Sequence, residues 1–315
     1  MLKFALLRLS TGVLQIAAVA VAVHVLTSWL PGDTAVVVLG ENATEQQVAA
    51  LRHQLGLDEP PAQRFLDWIG GLLSGDLGTS LLTGRAVSDE IGRGLASTAV
   101  LAALALAVVL PLAALIGVSS GVRPGSRTDR ALNAVIVALN AVPEFALGMV
   151  LVALFALQLG WLPATGAGLS GLSLADQPAV LVLPVTVLVC KQLCALTRQV
   201  RVGVAEATHA GYATHLRMLG LPERNVLLRH VLPNGCAPAV QQLARTVDGL
   251  LGGVVVVEAL FGLDGVGSGF VDAVKARDLP VVQGYALVFV LTTVLVNIAA
   301  DVAARRLVPQ REVRA

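Results

Sequence analysis

Long apolar segments dominate the sequence and restrict what the chain can fold into. Hydrophobic residues make up 56% of the 315 residues and charged residues only 14%, and the apolar residues are gathered into long runs. A helix crosses the roughly 30 Å hydrocarbon layer with about 20 residues. Six runs reach that length, so the sequence predicts an all-α membrane protein with six transmembrane helices. The predicted spans are residues 9–30, 97–118, 134–159, 180–197, 238–260 and 281–304.

The distribution of positive charge predicts the orientation of these spans, because short cytoplasmic loops are rich in Lys and Arg. Residues 31–93 hold nine acidic residues against four arginines, and residues 161–177 contain neither Lys nor Arg, so both segments are predicted to face outward. Both termini are predicted to be cytoplasmic. The predicted cytoplasmic cations are Lys3, Arg8, Arg123, Arg127, Arg130, Arg198, Arg201, Arg217, Arg224, Arg229, Arg305, Arg306, Arg311 and Arg314.

The segment after the first span is predicted to be helical rather than a plain loop. Thr44 and Gln47 have the spacing of a capping box, and Gly56 can take the left-handed conformation that ends a helix. A second amphipathic helix is predicted to begin near Pro60-Pro61 and to carry Phe and Trp on one side. These helices either cap the outer mouth of the spans or lie in the headgroup layer. His24, in the first span, is predicted to be a satisfied interior group.

The linear organisation follows from these predictions. Residues 1–30 form the N-terminus and first span, 31–96 the extracytoplasmic helical segment, 97–305 the transmembrane core and 306–315 a cytoplasmic tail. The core includes a cytoplasmic loop at 198–235 between the fourth and fifth spans.

The cytoplasmic loop is predicted to form a helix, a turn at Gly220 and a second short helix. Glycine makes a left-handed turn at little cost, and Pro222 suits the start of the next helix with Glu223 near its positive end. Tyr212, Leu216 and Leu219 fall on one helical face, whereas Val226 and Leu227 are predicted to point inward. Such an elbow presents apolar side chains ringed by charge. The alternative is a solvated loop between spans.

The same loop resembles the cytoplasmic "EAA" loop of the inner-membrane permease subunits of ATP-binding-cassette (ABC) importers. Gly220 and Leu232-Pro233 have that loop's spacing, although Thr214-His215-Leu216 occupies the Glu-Ala-Ala place. The sequence is similar to the dipeptide, oligopeptide and nickel permeases over nearly its whole length. The other similar motifs are Leu30-Pro31-Gly32-Asp33, Leu55-Gly56-Leu57-Asp58, Gly75-Asp76-Leu77-Gly78, Gly160-Trp161-Leu162-Pro163, Val257-Glu258-Ala259-Leu260, Gly265-Val266-Gly267 and Arg277-Asp278-Leu279-Pro280.

The resemblance implies a permease subunit that forms half of a translocation pathway in the bacterial inner membrane. It implies as partners a second, similar permease, two ABC ATPase subunits and an extracytoplasmic substrate-binding protein. ATP and Mg would be used by the ATPase subunits, since this chain lacks a GxxxxGK[ST] phosphate loop, and no cofactor is expected on the chain itself. The residues implied in docking to the ATPase are Tyr212, Leu216, Arg217, Leu219, Gly220, Leu221, Glu223, Arg224, Leu227 and Arg229.

Charged residues inside predicted spans mark a possible transport route, because each costs about 2.5–3.5 kcal/mol on insertion scales unless it meets water or a partner. Glu144 follows Pro143, where a kink frees backbone carbonyls. Lys191 lies within the fourth span, and Arg245 and Asp248 have a spacing that allows an intrahelical ion pair. The hypothesis is that these four residues line a hydrated path. The alternatives are a bridge between spans for Glu144 and Lys191, and a self-compensated pair for Arg245 and Asp248.

No residue pattern indicates catalysis or a metal site. The five histidines are dispersed and no CxxC spacing occurs, so the chain is predicted to be no enzyme and to bind no metal. A di- or oligopeptide is the expected cargo, with nickel or a nickel chelate as the alternative. A secondary transporter without an ATPase partner is the alternative from another class, although paired inverted halves are not apparent.

Asn297 and Asp301, in the sixth predicted span, share a helical face and suit hydrogen bonds to a neighbouring span.

Overall fold

The chain is helical throughout the part that the structure describes. The structure is a computed structural model that describes residues 2–29, 34–40, 43–169, 171–174 and 176–307. Within those ranges the only β-structure is one isolated antiparallel bridge between Thr79 and Ala86. The Leu30-Pro31-Gly32-Asp33 motif and the tail from residue 308 lie outside the described residues. The all-α prediction is therefore confirmed for the described part of the chain.

The chain divides into two compact units, which interleave along the sequence. The first comprises residues 1–99, 166–176 and 262–294, and the second comprises 100–165, 177–261 and 295–315. Two long helices, α5 (Val87–Val122) and α14 (Leu279–Leu307), contribute to both. The other helices of the first unit are α1 (Leu2–Ser28), α2 (Thr34–Leu39), α3 (Glu45–Gln54), α4 (Pro61–Leu73), a 3₁₀ turn (Gly171–Leu174) and α13 (Val266–Ala276).

The second unit holds the cytoplasmic loop predicted from the sequence. Its helices pack mainly on α8, along which α6, α7, α11 and α12 lie. They are α6 (Arg127–Ala141), α7 (Glu144–Leu151) with a π-helical continuation (Val152–Gln158), α8 (Pro178–His209), α9 (Gly211–Met218), α10 (Glu223–Val226) with a π-helical continuation (Leu227–Val231), α11 (Leu232–Gly235) and α12 (Ala237–Phe261).

The described residues contain four helices that are long and apolar enough to cross a membrane, and a fifth span if a bent helix pair counts as one. The four spans are Leu7–Ser28, Val87–Val122, Pro178–His209 and Leu279–Val302. The bent pair joins α6 and α7 at an angle of 100°. The chain is thus a multi-pass helical membrane protein. The remaining predicted span, residues 238–260 and the fifth along the chain, corresponds to α12, which is long enough but carries Arg245, Asp248 and Glu258.

The first unit contains both helices predicted after the first span. Thr44 and Gln47 form the capping box of α3, and Gly56 is left-handed with φ +66°. The second predicted helix is α4, which begins at Pro61 as predicted. The helices α2 and α13 were not predicted.

His24 attaches α4 to two of the candidate spans, as expected of a satisfied interior group. Gln283 Nε2, on α14, donates to His24 Nδ1 at 2.8 Å, which leaves His24 Nε2 to donate to the Pro61 carbonyl, also at 2.8 Å. The Phe65 ring contacts the imidazole with ring centroids 5.0 Å apart. The imidazole is buried, so the apolar face of α4 packs on protein at this position.

Candidate functional site

The predicted elbow is present in the second unit and depends on Gly220. Helix α9 ends at Met218, Gly220 has φ +79°, and Pro222 is the N-cap of α10. A Cβ added at Gly220 would meet no atom within 4 Å. The glycine is therefore required for its left-handed backbone conformation and not for space.

Arg217 holds the two sides of the elbow together. Its Nε and Nη2 donate to the two carboxylate oxygens of Glu223, each at 2.9 Å, and its Nη1 donates to the Thr208 carbonyl at 2.9 Å. This bidentate contact joins α9 to α10 across the turn, and the third bond joins both to the last turn of α8. By donating these hydrogen bonds, Arg217 holds the pKa of the Glu223 carboxyl below its ordinary value.

The outer surface of the elbow is apolar. Met218 is 79% exposed and Leu219 63% exposed, whereas Val226, on α10, is fully buried. Sequence reasoning predicted an exposed Leu219 but did not single out Met218 or Leu228, which is also exposed. Among the other predicted docking residues, Tyr212, Gly220, Glu223, Arg224 and Arg229 are exposed, and Leu216, Arg217, Leu221 and Leu227 are half-buried.

The base of the elbow is fixed by two glycines that sequence reasoning did not identify. A Cβ at Gly203, on α8, would overlap the Gly235 carbonyl oxygen on α11, and a Cβ at Gly235 would lie 2.9 Å from the Gly203 carbonyl oxygen. The two backbones are in direct contact, which only glycine allows. The signal was an isolated glycine inside a helical pattern, which often marks such a contact.

A buried ion pair joins α6 to the C-terminal half of α8. Arg201 Nε and Nη2 contact the two carboxylate oxygens of Asp129 at 2.6 and 2.8 Å, and the Asp129 side chain is only 2% exposed. The same carboxylate accepts hydrogen bonds from Asn133 Nδ2 and the Gly125 N–H, so all of its contacts are to donors. Such complete satisfaction is what makes a buried carboxylate tolerable. Sequence reasoning treated Arg201 only as a topology marker.

The third predicted span is broken at Pro143, where only a kink was predicted. Helix α6 ends at Ala141 and α7 begins at Glu144, with a bend of 100° between the two segments. Because α6 ends just before Pro143, its last carbonyls have no helical donors. Lys191 Nζ, on α8, donates to two carbonyls at this helix end, that of Asn140 at 3.1 Å and that of the C-cap residue Val142 at 3.4 Å.

The other three predicted path residues, Glu144, Asp248 and Arg245, lie in surroundings that differ from one another. Glu144 is half-buried, and its Oε1 would lie 3.2 Å from a Cβ added at Gly253 on α12. Asp248 Oδ2 accepts a hydrogen bond from Asn297 Nδ2 at 3.2 Å, in agreement with the predicted contact of Asn297 with a neighbouring helix. Among the described residues no ion pair joins Arg245 to Asp248, and Arg245 is exposed.

No group of three or more His, Cys, Asp or Glu side chains that could hold a metal ion occurs within the described ranges. Cys190, Cys194 and Cys236 are free and half-buried.

Comparison with known proteins agrees with the membrane architecture. Residues 110–313 match the family described as binding-protein-dependent transport system inner membrane component, and residues 1–102 match the N-terminal region of such membrane components. The chain is 34% identical over 302 residues to the glutathione transport system permease protein GsiC of Salmonella choleraesuis (strain SC-B67). It is 33% identical over 304 residues to GsiC of Escherichia coli (strain K12). Each alignment covers 96% of both chains. The chain therefore belongs to the family of binding-protein-dependent transport system inner membrane components, the permease subunits of ABC importers.

Proposed function

We propose that this permease works in an ATP-driven importer for short peptides of the glutathione type. The observation that carries the cargo is the similarity to the GsiC proteins, which extends over 96% of the chain and is not confined to the loop. Nickel or a nickel chelate remains the alternative cargo from the sequence. The subunit would act with a second permease, two ATPase subunits that carry out the ATP chemistry, and an extracytoplasmic binding protein.

The cargo is tested by reconstituting the chain with its partner subunits in proteoliposomes. ATP-dependent uptake of radiolabelled glutathione and of unmodified tripeptides is compared with uptake of ⁶³Ni²⁺ at equal concentrations. Uptake of the peptides without nickel supports the proposal. Nickel uptake that peptides do not inhibit would reject the peptide cargo. Uptake that continues in the presence of vanadate would reject the ATP-driven importer in favour of a secondary transporter.

The elbow is proposed as the surface that contacts an ATPase subunit. Its support is the exposure of Met218 and Leu219 next to the exposed charges of Arg224 and Glu223, because an apolar patch ringed by polar groups is typical of a protein–protein contact. Glycine conformation and the Arg217 contacts hold this surface in one geometry. A surface with fixed geometry can pass a movement of its partner to the helices behind it.

The contact is tested with the double variant Met218→Ser/Leu219→Ser. We expect it to lose ATPase subunits on purification in mild detergent and to lose ATP-driven uptake, while the chain itself remains folded because both side chains are exposed. Asn225→Ser, at an exposed polar position of α10, is the matched control and should retain both. Full ATPase retention in the double variant would reject the elbow as the contact.

The proposed topology has six spans and cytoplasmic termini, with α12 as the fifth span. Helix α12 has 25 residues, about 37 Å at 1.5 Å per residue, and lies along α8, which is itself a candidate span. Its length therefore suffices for a crossing. Packing of α12 on α8 shields part of its surface from lipid, and Asp248 Oδ2 accepts a hydrogen bond from Asn297, although Asp248 Oδ1 is buried without a hydrogen bond to the described residues.

Thiol labelling tests the orientation in a background without Cys190, Cys194 and Cys236. Arg224→Cys should react with a membrane-impermeant maleimide only in inside-out vesicles, and Glu59→Cys only in right-side-out vesicles. Both positions are exposed in the structure. Labelling of Arg224→Cys from the outside alone would overturn both the topology and the ATPase contact.

The four charged residues are proposed to line a hydrated path for the charged ends of the peptide. Arg245 fits this role best, because its side chain is exposed on α12, whereas Lys191 is bound to the carbonyls of α6. Uptake is measured for Glu144→Gln, Lys191→Met and Arg245→Gln. Wild-type uptake with unchanged peptide preference in all three variants would reject the path.

A further inference from the structure

A cavity of about 720 Å³ lies in the first unit, where two candidate spans end. Ser28, the last residue of the span in α1, and Leu279, the first residue of the span in α14, both line it. The ends of transmembrane helices lie at the level of the lipid headgroups. The cavity is therefore placed at the membrane surface, and its volume is that of a small-molecule binding site.

The charged side chains on the cavity wall are all cationic. Arg52, Arg64 and Arg277 line the cavity together with the hydroxyl residues Thr27, Ser28 and Thr34, and no acidic residue that the structure describes lines it. Arg52 shares its charge with Asp58, whose Oδ1 lies 3.1 Å from Arg52 Nε. Arg64 and Arg277 form no ion pair with any residue that the structure describes. Two guanidinium groups without a carboxylate at the edge of an apolar layer favour an anionic ligand.

Two buried polar atoms at the cavity lack a partner. Arg64 Nε and Ser28 Oγ are buried and form no hydrogen bond to the described residues. A buried donor without an acceptor is costly and rare, so an acceptor supplied from outside the chain would remove the cost. A phosphate group has enough oxygen atoms to accept from both residues and from Arg277.

The backbone at Arg277 is held in an uncommon conformation next to the cavity. Arg277 has φ +59° and is the only described residue other than glycine with a positive φ. The Thr34 hydroxyl, also on the cavity wall, donates to the Arg277 carbonyl at 3.0 Å. Glycine or asparagine would make this turn more cheaply. An arginine at this position retains a charged side chain at some conformational cost.

The remaining wall is apolar and comes from Val36, Leu57, Val274 and Val282, among others. A free inorganic anion would leave this surface in contact with water. A ligand with an anionic head and an attached apolar chain would cover both parts of the wall.

We propose that this cavity binds the phosphate headgroup of an anionic phospholipid, with Arg64 and Arg277 on the phosphate and the apolar wall against the start of the acyl chains. A lipid in this position would join α1, α4 and the α13–α14 turn. It would thereby stabilise the helical segment that follows the first span.

The proposal is tested by native mass spectrometry of the full chain in detergent, titrated with phosphatidylglycerol or phosphatidylcholine. We expect tighter binding of phosphatidylglycerol. Arg64→Gln and Arg277→Gln should each weaken that binding about fivefold, the size expected for one arginine near an anionic lipid surface. Arg52→Gln should have a smaller effect because Asp58 already shares its charge. Arg85→Gln, an exposed arginine of the same unit outside this cavity, is the matched control.

Several outcomes decide the proposal. Equal phosphatidylglycerol binding in Arg64→Gln, Arg277→Gln and Arg85→Gln would overturn the proposal. Displacement of the lipid by an equal concentration of inorganic phosphate would also overturn it and would indicate a site for the free anion. Displacement by a soluble tripeptide would assign the cavity to cargo instead. Unfolding in detergent checks that the variants fold, and added phosphatidylglycerol should raise the midpoint for wild type and Arg85→Gln but not for the Arg64→Gln/Arg277→Gln double variant.

Discussion

Two interruptions of helical structure in the second unit, the elbow at Gly220 and the break at Pro143, are each crossed by one cationic side chain. At the elbow Arg217 joins α9 to a carboxylate of α10 and to a carbonyl of α8. At the break Lys191 joins α8 to two carbonyls of α6. The arrangement is similar, but the surroundings and the partners differ.

This difference indicates which interruption is held together more strongly. The ion pair at the elbow is exposed, with 32% of the Arg217 side chain and 63% of the Glu223 side chain accessible, and exposed pairs contribute only about 0–1 kcal/mol. The bonds at the break come from the half-buried Lys191 within a candidate span, and a hydrogen bond to a charged group is worth about 1.5–3 kcal/mol. We infer that the contacts across the break contribute more to stability than the ion pair across the elbow.

Removal of the cation at the break should give the largest effect. Lys191→Met leaves the Asn140 and Val142 carbonyls without their donor, and we expect the free energy of unfolding to fall by about 1–3 kcal/mol. The cost of inserting Lys191 is present in both states because unfolded helices stay in the detergent or bilayer, so it largely cancels. Unfolding of the purified chain in mixed micelles measures the effect.

Lys191→Arg is the control for this prediction, since it keeps a charge and several donors at the same position. It should lose less stability than Lys191→Met. A Lys191→Met variant as stable as wild type would show that the carbonyls at the break find other donors, and the contrast between the two joints would fail.

Substitution at the elbow glycine should have an intermediate effect. Gly220→Ala places a Cβ at φ +79° and should cost about 1 kcal/mol through backbone strain alone, since no atom lies within 4 Å of the added Cβ. Gly211→Ala, at the start of α9, also meets no atom but needs no positive φ, so it should be neutral or slightly stabilising. Unfolding free energies of the two variants check the prediction. Equal losses in both would contradict the role of the left-handed turn.

The ion pair across the elbow should have a smaller effect on stability. In a double-mutant cycle with Arg217→Gln and Glu223→Gln, we expect a coupling energy of about 0.2–1 kcal/mol, because both side chains are accessible to water. A control cycle combines Glu223→Gln with Arg224→Gln, a change at an exposed position of α10. It should show no coupling energy. A coupling energy larger than the loss of unfolding free energy in Lys191→Met would reverse the order of the two interruptions.

The sequence predicted those parts of the fold that depend on local signals. The capping box at Thr44, the start of α4 at Pro61 and the turn at Gly220 each arise from residues within a few positions of one another. The same local logic located Pro143 as a point of weakness. It could not give the 100° bend, which depends on how α6 and α7 pack on α8.

The contacts that fix the candidate site were beyond sequence reasoning for a different reason. Lys191 and the carbonyl of Asn140 are 51 residues apart, and Arg201 and Asp129 are 72 apart. Backbone carbonyls carry no sequence signature, so a lysine that binds them has the same pattern as a lysine that binds cargo. The alternative ion pair of Arg245 with Asp248 is not formed among the described residues, where Asp248 accepts a hydrogen bond from Asn297 of another helix instead.

Titration of Glu223 gives the smallest effect and tests whether the elbow is held electrostatically. Arg217 lowers the pKa of Glu223 from its ordinary value of 4.5, so the folded state binds this proton less readily than the unfolded state. The stabilisation by the pair is therefore fully present above pH 4.5 and is lost as the pH falls through the lower folded value. Its size should be a few tenths of a kcal/mol, because the pair is exposed.

The measurement compares wild type with Glu223→Gln, whose side chain does not titrate, so that the other carboxyl groups cancel in the difference. The stability difference between the two should be constant from pH 7 to about pH 5 and should shrink towards pH 3. In 1 M salt it should be smaller at every pH, since exposed charges are screened. A difference that grew on acidification would mean that Glu223 is stabilised in its protonated form, and the elbow would then be held by something other than its ion pair with Arg217.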